Sequence, residues 1–339
     1  MASNVDYEPP RKVRKTSFSF DRETAVKELD GRGYTMIPGI LTETECDTYT
    51  NQYKSWIDQF GQDDFPHSRN SVIQGYRIGQ FEPGWNARLK TKAVFASLWK
   101  TQKLLTSVDA IAVARPPEQD GSPFADEGQT WFHLDQGGQR QGLHAYQGAL
   151  YLEETTDTDY CFRVMEGSHK HHEQLFVDFP GALGATKRSE FLRLQPKKLD
   201  WYRKKDIVSR KVPCPKGGLI LWDSRLIHDS VRPQHGRPNT DRWRFVVFVC
   251  MTPAIWASTK DIERKQQAYA KRMLTSHWPS QGVRIFRHSN CPPPDHVDKL
   301  TQLPEVATTR EVRLLMGVDR YDFDDGESNG PGWEPQWRK

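Results

Sequence analysis

Beyond residue 99 the chain becomes a succession of short apolar or alternating runs separated by turn residues, and no other feature limits the fold as much. The runs are 110–114, 130–135, 147–152, 161–164, 219–222 and 245–250. Strands of that length with Gly and Pro between them belong to a sandwich or a barrel. Such folds can pass about 200 residues as a single unit, so the length of 339 residues does not by itself mean two domains. A chain this long buries enough apolar surface to need no staple. The cysteines agree. There are five, scattered and without a CxxC pair, which argues against a disulfide framework or structural zinc and for a reducing compartment.

Helices are expected ahead of the strands. Asp21 is an N-cap acid followed by helix formers, and Gly31 and Gly33 end that first helix. A short strand follows over 34–38. Thr42-Glu-Thr-Glu45 is a capping box that opens a helix to about Phe60, with Tyr49, Tyr53, Trp56 and Ile57 on one apolar face. Residues 61–90 are rich in Gly, Asn, Asp and Pro and read as irregular, while 93–99 reads as another helix. The charged stretch 173–206 interrupts the strands and reads as an insertion, helical at 189–194 and 200–205. A further helix is expected over 262–274. The predicted organisation is a disordered basic tail over 1–20, a β domain with N-terminal helices over 21–255, and a C-terminal helical extension with an acidic end over 256–339, packed on the core or trailing it. Asp319, Asp322, Asp324 and Asp325 lack the loop spacing of an EF-hand and read as a solvated tail.

His133-Leu134-Asp135 lies in one of the predicted strands. Side chains two apart share a face of a strand, so this imidazole and this carboxylate point into one cavity. Two His and one carboxylate on one side of an ion leave positions open, the arrangement of non-haem Fe(II) oxygenases. HxD alone is a common coincidence, and His133 alone reads equally well as a structural histidine. Three later segments add to it. Lys216-Gly-Gly-Leu-Ile-Leu-Trp-Asp-Ser-Arg-Leu-Ile-His228 is a turn, an apolar strand and a second turn that delivers a His to the head of the next strand. Arg242-Trp-Arg-Phe-Val-Val-Phe-Val-Cys250 opens a buried-looking strand with two arginines on one side. A charge held inside a barrel needs a partner, and a carboxylate is the best bidentate match for a guanidinium. A structural ion pair is the plainer alternative. Val164-Met-Glu-Gly-Ser-His169 follows a strand and heads the insertion.

In this order the motifs resemble the phytanoyl-CoA dioxygenase-like branch of the 2-oxoglutarate oxygenases. The opening Gly33-Tyr-Thr-Met-Ile-Pro-Gly39 between two helices is similar too, as is the stretch from Gln74-Gly-Tyr76 through Phe95-Ala-Ser-Leu-Trp99 to Arg115-Pro-Pro117. The resemblance spans roughly residues 21–255. It implies a mainly β fold with flanking helices around a double-stranded β-helix (jelly-roll, cupin-like) core. It implies His133, Asp135 and His228 as the metal-binding, catalytic triad. Arg242 would anchor 2-oxoglutarate, with Arg244 on the same face as the other choice. Gln147, which follows the HxD loop, reads from its position as a contact to cosubstrate or substrate or, equally, as a core polar residue. The implied cofactor set is Fe(II), 2-oxoglutarate and O2, with ascorbate as an auxiliary reductant. The implied reaction is oxidative decarboxylation of 2-oxoglutarate to succinate, coupled to hydroxylation of a small-molecule substrate. Three features depart from the pattern: Glu166 stands where Pro is usual before Gly-Ser-His, the insertion lengthens the gap between Asp135 and His228, and the gap from His228 to Arg242 is slightly long, which leaves the choice between Arg242 and Arg244 open. The retained Asp135 speaks against a halogenase, which gives up that ligand. The competing readings are an oxygenase of this fold with another reductant and a non-catalytic cupin-like binding protein.

A net charge of +4 with acids and bases intermixed does not describe a dedicated nucleic-acid binder. The run Arg11-Lys-Val-Arg-Lys15 leaves a nuclear-import signal or an anionic contact, nucleic acid included, as minor options. No run approaches a membrane span, and Met1 to Phe20 shows no apolar signal core, so a cytoplasmic or nuclear, non-secreted protein is expected. His169, His171 and His172 read as a solvated turn rather than a second metal site, and His144 as a loop residue without a role. Asp223 reads as an acceptor orienting His228 or as a turn residue. Arg115 is a candidate substrate contact. Arg77, Arg88 and Lys92, with some of the eleven Trp, are candidates to line a pocket for an anionic or aromatic small molecule.

Overall fold

The structure, a computed structural model, describes residues 20–61, 64–126, 130–286 and 291–338, apart from the side chain of Arg188. The basic run at 11–15 lies outside the described residues. The apolar runs form two antiparallel sheets. The larger takes β1 (Tyr34–Ile37), β2 (Val72–Ile73), β3 (Leu104–Thr106), β4 (Ile111–Ala114), β7 (Tyr146–Tyr151), β11 (Leu219–Asp223) and β13 (Arg244–Pro253), ordered β1-β11-β7-β13-β4-β2 with β3 also on β13. The smaller takes β5 (His133–Leu134), β8 (Cys161–Met165), β9 (Leu192–Arg193), β10 (Ser209–Val212) and β12 (His228–Val231), ordered β10-β8-β12-β5-β9. A ribbon pairs β6 (Arg140–Gln141) with β14 (Gln336–Trp337).

The two-residue period of the strands decides what faces what. On β13, Phe245, Val247, Val249 and Met251 join the core under the N-terminal helices, while Val246 joins a cluster shared with Phe162 and Val164 of the smaller sheet. Arg244 and Phe248 fall on the side of Val246. On β7, Ala149 and Tyr151 belong to the shared cluster and Leu150 to the helix side, which places Gln147 inward. The sheets therefore face one another as the two halves of a double-stranded β-helix core, flanked by helices. They do not close into a barrel.

The first helix, Arg22–Arg32, starts on Asp21, whose side chain accepts from the Thr24 amide, and ends at Gly33 in the left-handed region; Gly31 stays inside it. Thr42 and Glu45 complete the expected capping box of Glu43–Ile57, which buries Tyr49, Tyr53, Trp56 and Ile57. The next helix runs Glu82–Trp99, so part of the stretch expected to be irregular is helical. Pro83 and Gly84 read as breakers, but Pro sits in the first turn, where its missing N–H costs no hydrogen bond. The insertion supplies helices His172–Asp178, Pro180–Ser189 and Pro196–Arg203. Residues 189–194, expected to be helical, instead leave a helix through Glu190 (φ 64) and pair with the smaller sheet. Leu192 and Leu194 are buried while Phe191 and Arg193 are exposed, a period of two too short to read in advance.

The C-terminal helix runs Thr259–Ala270, earlier than expected, because Ser258 caps it. The acidic end is not a solvated tail. Lys103 is almost fully buried and draws Asp325 (2.5 Å) and Asn329 (2.8 Å) onto the core, and Arg313 holds Asp319. Asp322 and Asp324 stay exposed. Among the described residues no helix is long and apolar enough to cross a membrane.

Candidate active site

One bridge of the ladder builds the site. β12 meets β5 at the pair His228↔His133, and the two ring centroids are 4.3 Å apart. Asp135 follows directly, with its carboxylate oxygens 3.7 Å from His133 Nε2 and 3.5 Å from His228 Nε2. Each imidazole is held from behind. His133 Nδ1 lies 3.2 Å from Trp131 O, and His228 Nδ1 lies 3.0 Å from Leu226 O. An Nδ1–H committed to a carbonyl leaves the lone pair on Nε2, the usual tautomer of a ligating histidine. The donor atoms of the three residues all lie within 4.8 Å of one another. Two neutral imidazole nitrogens and a carboxylate fit a divalent first-row metal with open positions.

Electrostatics support the charge states of His133 and Asp135. Burial, with the neighbouring His228, pushes His133 down to about 4, so it is neutral at ordinary pH. Burial alone would raise Asp135, but His277, His133 and His228 outweigh it and hold the carboxyl well below its usual range. Gln147 Nε2 donates to Asp135 Oδ2 at 3.0 Å and fixes that oxygen. The Trp131 ring stacks on His133 at 4.6 Å between centroids.

The triad opens into a cavity of about 430 Å³ lined by both sheets, and Gln147 and Arg244 share it. Arg244 is only 6% exposed. It donates to Ser71 Oγ (2.5 Å) and Ser230 Oγ (2.9 Å), its Nε has no acceptor, and no carboxylate pairs with it among the described residues. Hydroxyls orient a guanidinium without neutralising it. Arg242, the first choice for the anchor, is elsewhere: it donates to Asp159 (2.9 Å) and Glu154 (2.8 Å) and does not line the cavity. The shared-face argument fails because β13 begins at Arg244, so Arg242 precedes the strand and need not follow its alternation.

Other expected contacts also fall away from the cavity. Arg115 sits over the Phe65 and Trp243 rings. Arg77 donates to Leu300 O, Arg88 to Gly79 O and Asp109 O, and Lys92 pairs with Glu311. None of these four lines the cavity. The helix Glu82–Trp99 packs on the outer face of the larger sheet, which explains the last two. Asp223 pairs with Arg225 and accepts its amide, the turn role. His169 and His172 are buried rather than solvated, held by Asp30 O and Gln136 O, and among the described residues neither belongs to a metal-ligating group. His144 is buried too, against Gln336 O. Sequence reasoning missed Ser71, Trp131, Ser230, Asp109 and His277, all beside the triad or the anchor. Two-residue spacing offered a signal for Ser230, two past His228, and for Trp131, two before His133 in the run 130–135.

The family model for phytanoyl-CoA dioxygenase matches residues 29–235. Ava biosynthesis cluster protein O of Aspergillus versicolor is 24% identical over 279 residues, covering 77% of this chain and 87% of that protein. Among solved structures, GlcNAc Inducible Gene 2, GIG2 (DUF1479), from Candida albicans is similar with a TM-score of 0.61 and 14% identity, covering 90% of this chain and 78% of that one. That likeness concerns the fold. EctD from S. alaskensis has a TM-score of 0.44 at 14% identity, covering 70% of this chain and 79% of that one.

Proposed function

The chain belongs to the phytanoyl-CoA dioxygenase family, and on that premise we propose that it is an Fe(II)- and 2-oxoglutarate-dependent oxygenase acting on a small molecule. One observation carries the reading. A His-Asp-His cluster and a buried guanidinium with no carboxylate partner among the described residues share one cavity. The first calls for a cation and the second for an anion, and iron with 2-oxoglutarate supplies both.

In this reading His133, Asp135 and His228 hold the metal. Trp131 O and Leu226 O keep the imidazoles in the ligating tautomer, and Gln147 keeps the carboxylate in one orientation. Arg244, aimed by Ser71 and Ser230, takes the far carboxylate of 2-oxoglutarate. When bound, iron supplies O2 activation, by which oxidative decarboxylation of 2-oxoglutarate to succinate is coupled to hydroxylation of the substrate. Trp131, Phe162, Trp222 and Phe248 line the same cavity and keep bulk water from the reacting groups. The name of the Aspergillus relative supports a small-molecule substrate.

Succinate formation tests this without knowledge of the substrate. Protein with Fe(II), 2-oxoglutarate and air is expected to produce succinate by slow uncoupled turnover, and His228→Ala is expected to abolish it. Oxygen uptake that runs on ascorbate but ignores 2-oxoglutarate would transfer the reading to another reductant. Failure to bind iron would leave a non-catalytic binding protein.

A further inference from the structure

Besides Arg244, three arginines line the cavity from three separate segments: Arg69 ahead of β2, Arg193 on β9 and Arg284 in the C-terminal extension. The ladder pairs Arg193 with His133, so its side chain leaves the sheet on the face of the triad. Its guanidinium donates to Thr130 O, a neutral acceptor. Arg69 is exposed, and no carboxylate pairs with it among the described residues. Arg284 reaches Glu190 at 3.4 Å, but that carboxylate is already engaged on both oxygens by Arg140.

The acids of the cavity do not cancel these charges. Asp229 is fully buried in a two-bond pair with Arg163 (2.9 and 2.7 Å). Burial pushes the Asp109 carboxyl up, toward its neutral form. Asp135 belongs to the metal in the iron and 2-oxoglutarate reading, on which this inference rests. Under that reading the centre balances itself, with the divalent metal and Arg244 set against Asp135 and the two carboxylates of the cosubstrate. Even with Asp109 ionised, the positive charge of Arg69, Arg193 and Arg284 is left in excess. Beside it stand the aromatic rings of Trp131, Phe191, Trp278 and Phe286. Trp278 and Arg284 lie outside the residues that the family model matches.

We propose that the substrate is a small organic anion with an aromatic or planar apolar body. Its carboxylate or phosphate lodges among Arg69, Arg193 and Arg284, and its apolar part packs on Trp131, Phe191 and Trp278. A guanidinium suits either anion because its fork of N–H donors matches two oxygens at once.

Calorimetric titration of the anaerobic protein, loaded with Fe(II) and saturating 2-oxoglutarate, tests this with four probes: naphthoate, naphthyl phosphate, neutral naphthamide and cationic naphthylmethylamine. The visible charge-transfer band of the iron–2-oxoglutarate complex reports that the centre is intact. The two anions are expected to bind about tenfold tighter than the amide, as a charge-assisted hydrogen bond would give. The preference should shrink with salt and collapse in Arg69→Gln/Arg193→Gln, which keeps the band; the tighter of the two anions identifies the headgroup. The inference is overturned if amide or amine binds as well as the anions, or if the preference survives the double substitution. It is overturned too if the double variant instead needs more 2-oxoglutarate, for then the arginines serve the cosubstrate. Absence of the band in wild-type protein removes the iron reading itself, and this inference with it.

Discussion

Arg244 holds its charge in a buried place with two serine hydroxyls as its partners, whereas Arg242 is answered by two carboxylates nearer the surface. Burial lowers the Arg244 pKa, so holding the charge there costs free energy that an anion would offset. Losing a buried charge pair costs about 2–5 kcal/mol of binding. Arg244→Met is therefore expected to raise the 2-oxoglutarate concentration for half-maximal succinate formation by roughly a hundredfold or more. Arg242→Met should leave that concentration within a factor of two and cost about 1 kcal/mol of stability, as a partly exposed ion pair does. Equal effects of the two substitutions would refute the assignment. The place of Gln147 after the HxD loop left it open between a ligand contact and a core polar residue, whereas two-residue spacing singled out His133 with Asp135. It could not separate the arginines, since that depends on where a strand begins, which the hydrogen bonds of its neighbours decide.

At the level of elements, the motif order gave His228 a place at the head of a strand, and β12 indeed begins there. Which residue it would face was not readable, because register is set by contacts far away in the chain. The strand at β9 and the early start of the helix at Glu82 were missed for the opposite reason: local composition suggested something else and tertiary pairing overrode it. Gly33 shows how one element supports the site. Its backbone is left-handed (φ +91), and an added Cβ would come within 2.6 Å of His169 Nδ1 and 2.7 Å of Leu226 Cδ1. Leu226 is the residue whose carbonyl holds His228. Gly33→Ala is expected to cost more than about 1 kcal/mol in thermal or urea unfolding and also to weaken iron affinity, measured by competition with a chelator. An unchanged metal affinity would uncouple the helix end from the site.

Across the whole molecule, the insertion and the C-terminus meet at Arg140. It pairs with Glu190, lies 3.8 Å from the centroid of Trp278 and 4.2 Å from that of Trp337, and begins the short strand that pairs with β14. His144 and His172, buried nearby, must stay neutral in the folded chain. Burial pushes His172 down to about 4 and, together with Arg140, pushes His144 down to about 3. The unfolded chain takes up protons on both near 6.5, so it binds more protons than the folded chain below that pH. Their stabilising effect is complete above 6.5 and is lost as the pH falls toward 4. The loss is on the order of 3 kcal/mol for His172 alone. Urea midpoints measured between pH 7 and 4 should fall steeply in the wild type and less so in His172→Gln, with the same slope in both as the contrary result.

The central claim is that this cavity holds iron and 2-oxoglutarate together, and anaerobic absorption spectroscopy tests it most directly. Apo-protein mixed with Fe(II) and 2-oxoglutarate without oxygen is expected to develop the weak visible metal-to-ligand charge-transfer band. His133→Ala should lose the band, Arg244→Met should need far more 2-oxoglutarate to form it, and Arg242→Met should behave as wild type. Wild-type protein that demonstrably binds iron and shows no band at saturating 2-oxoglutarate would contradict the cosubstrate assignment and leave only the metal site standing.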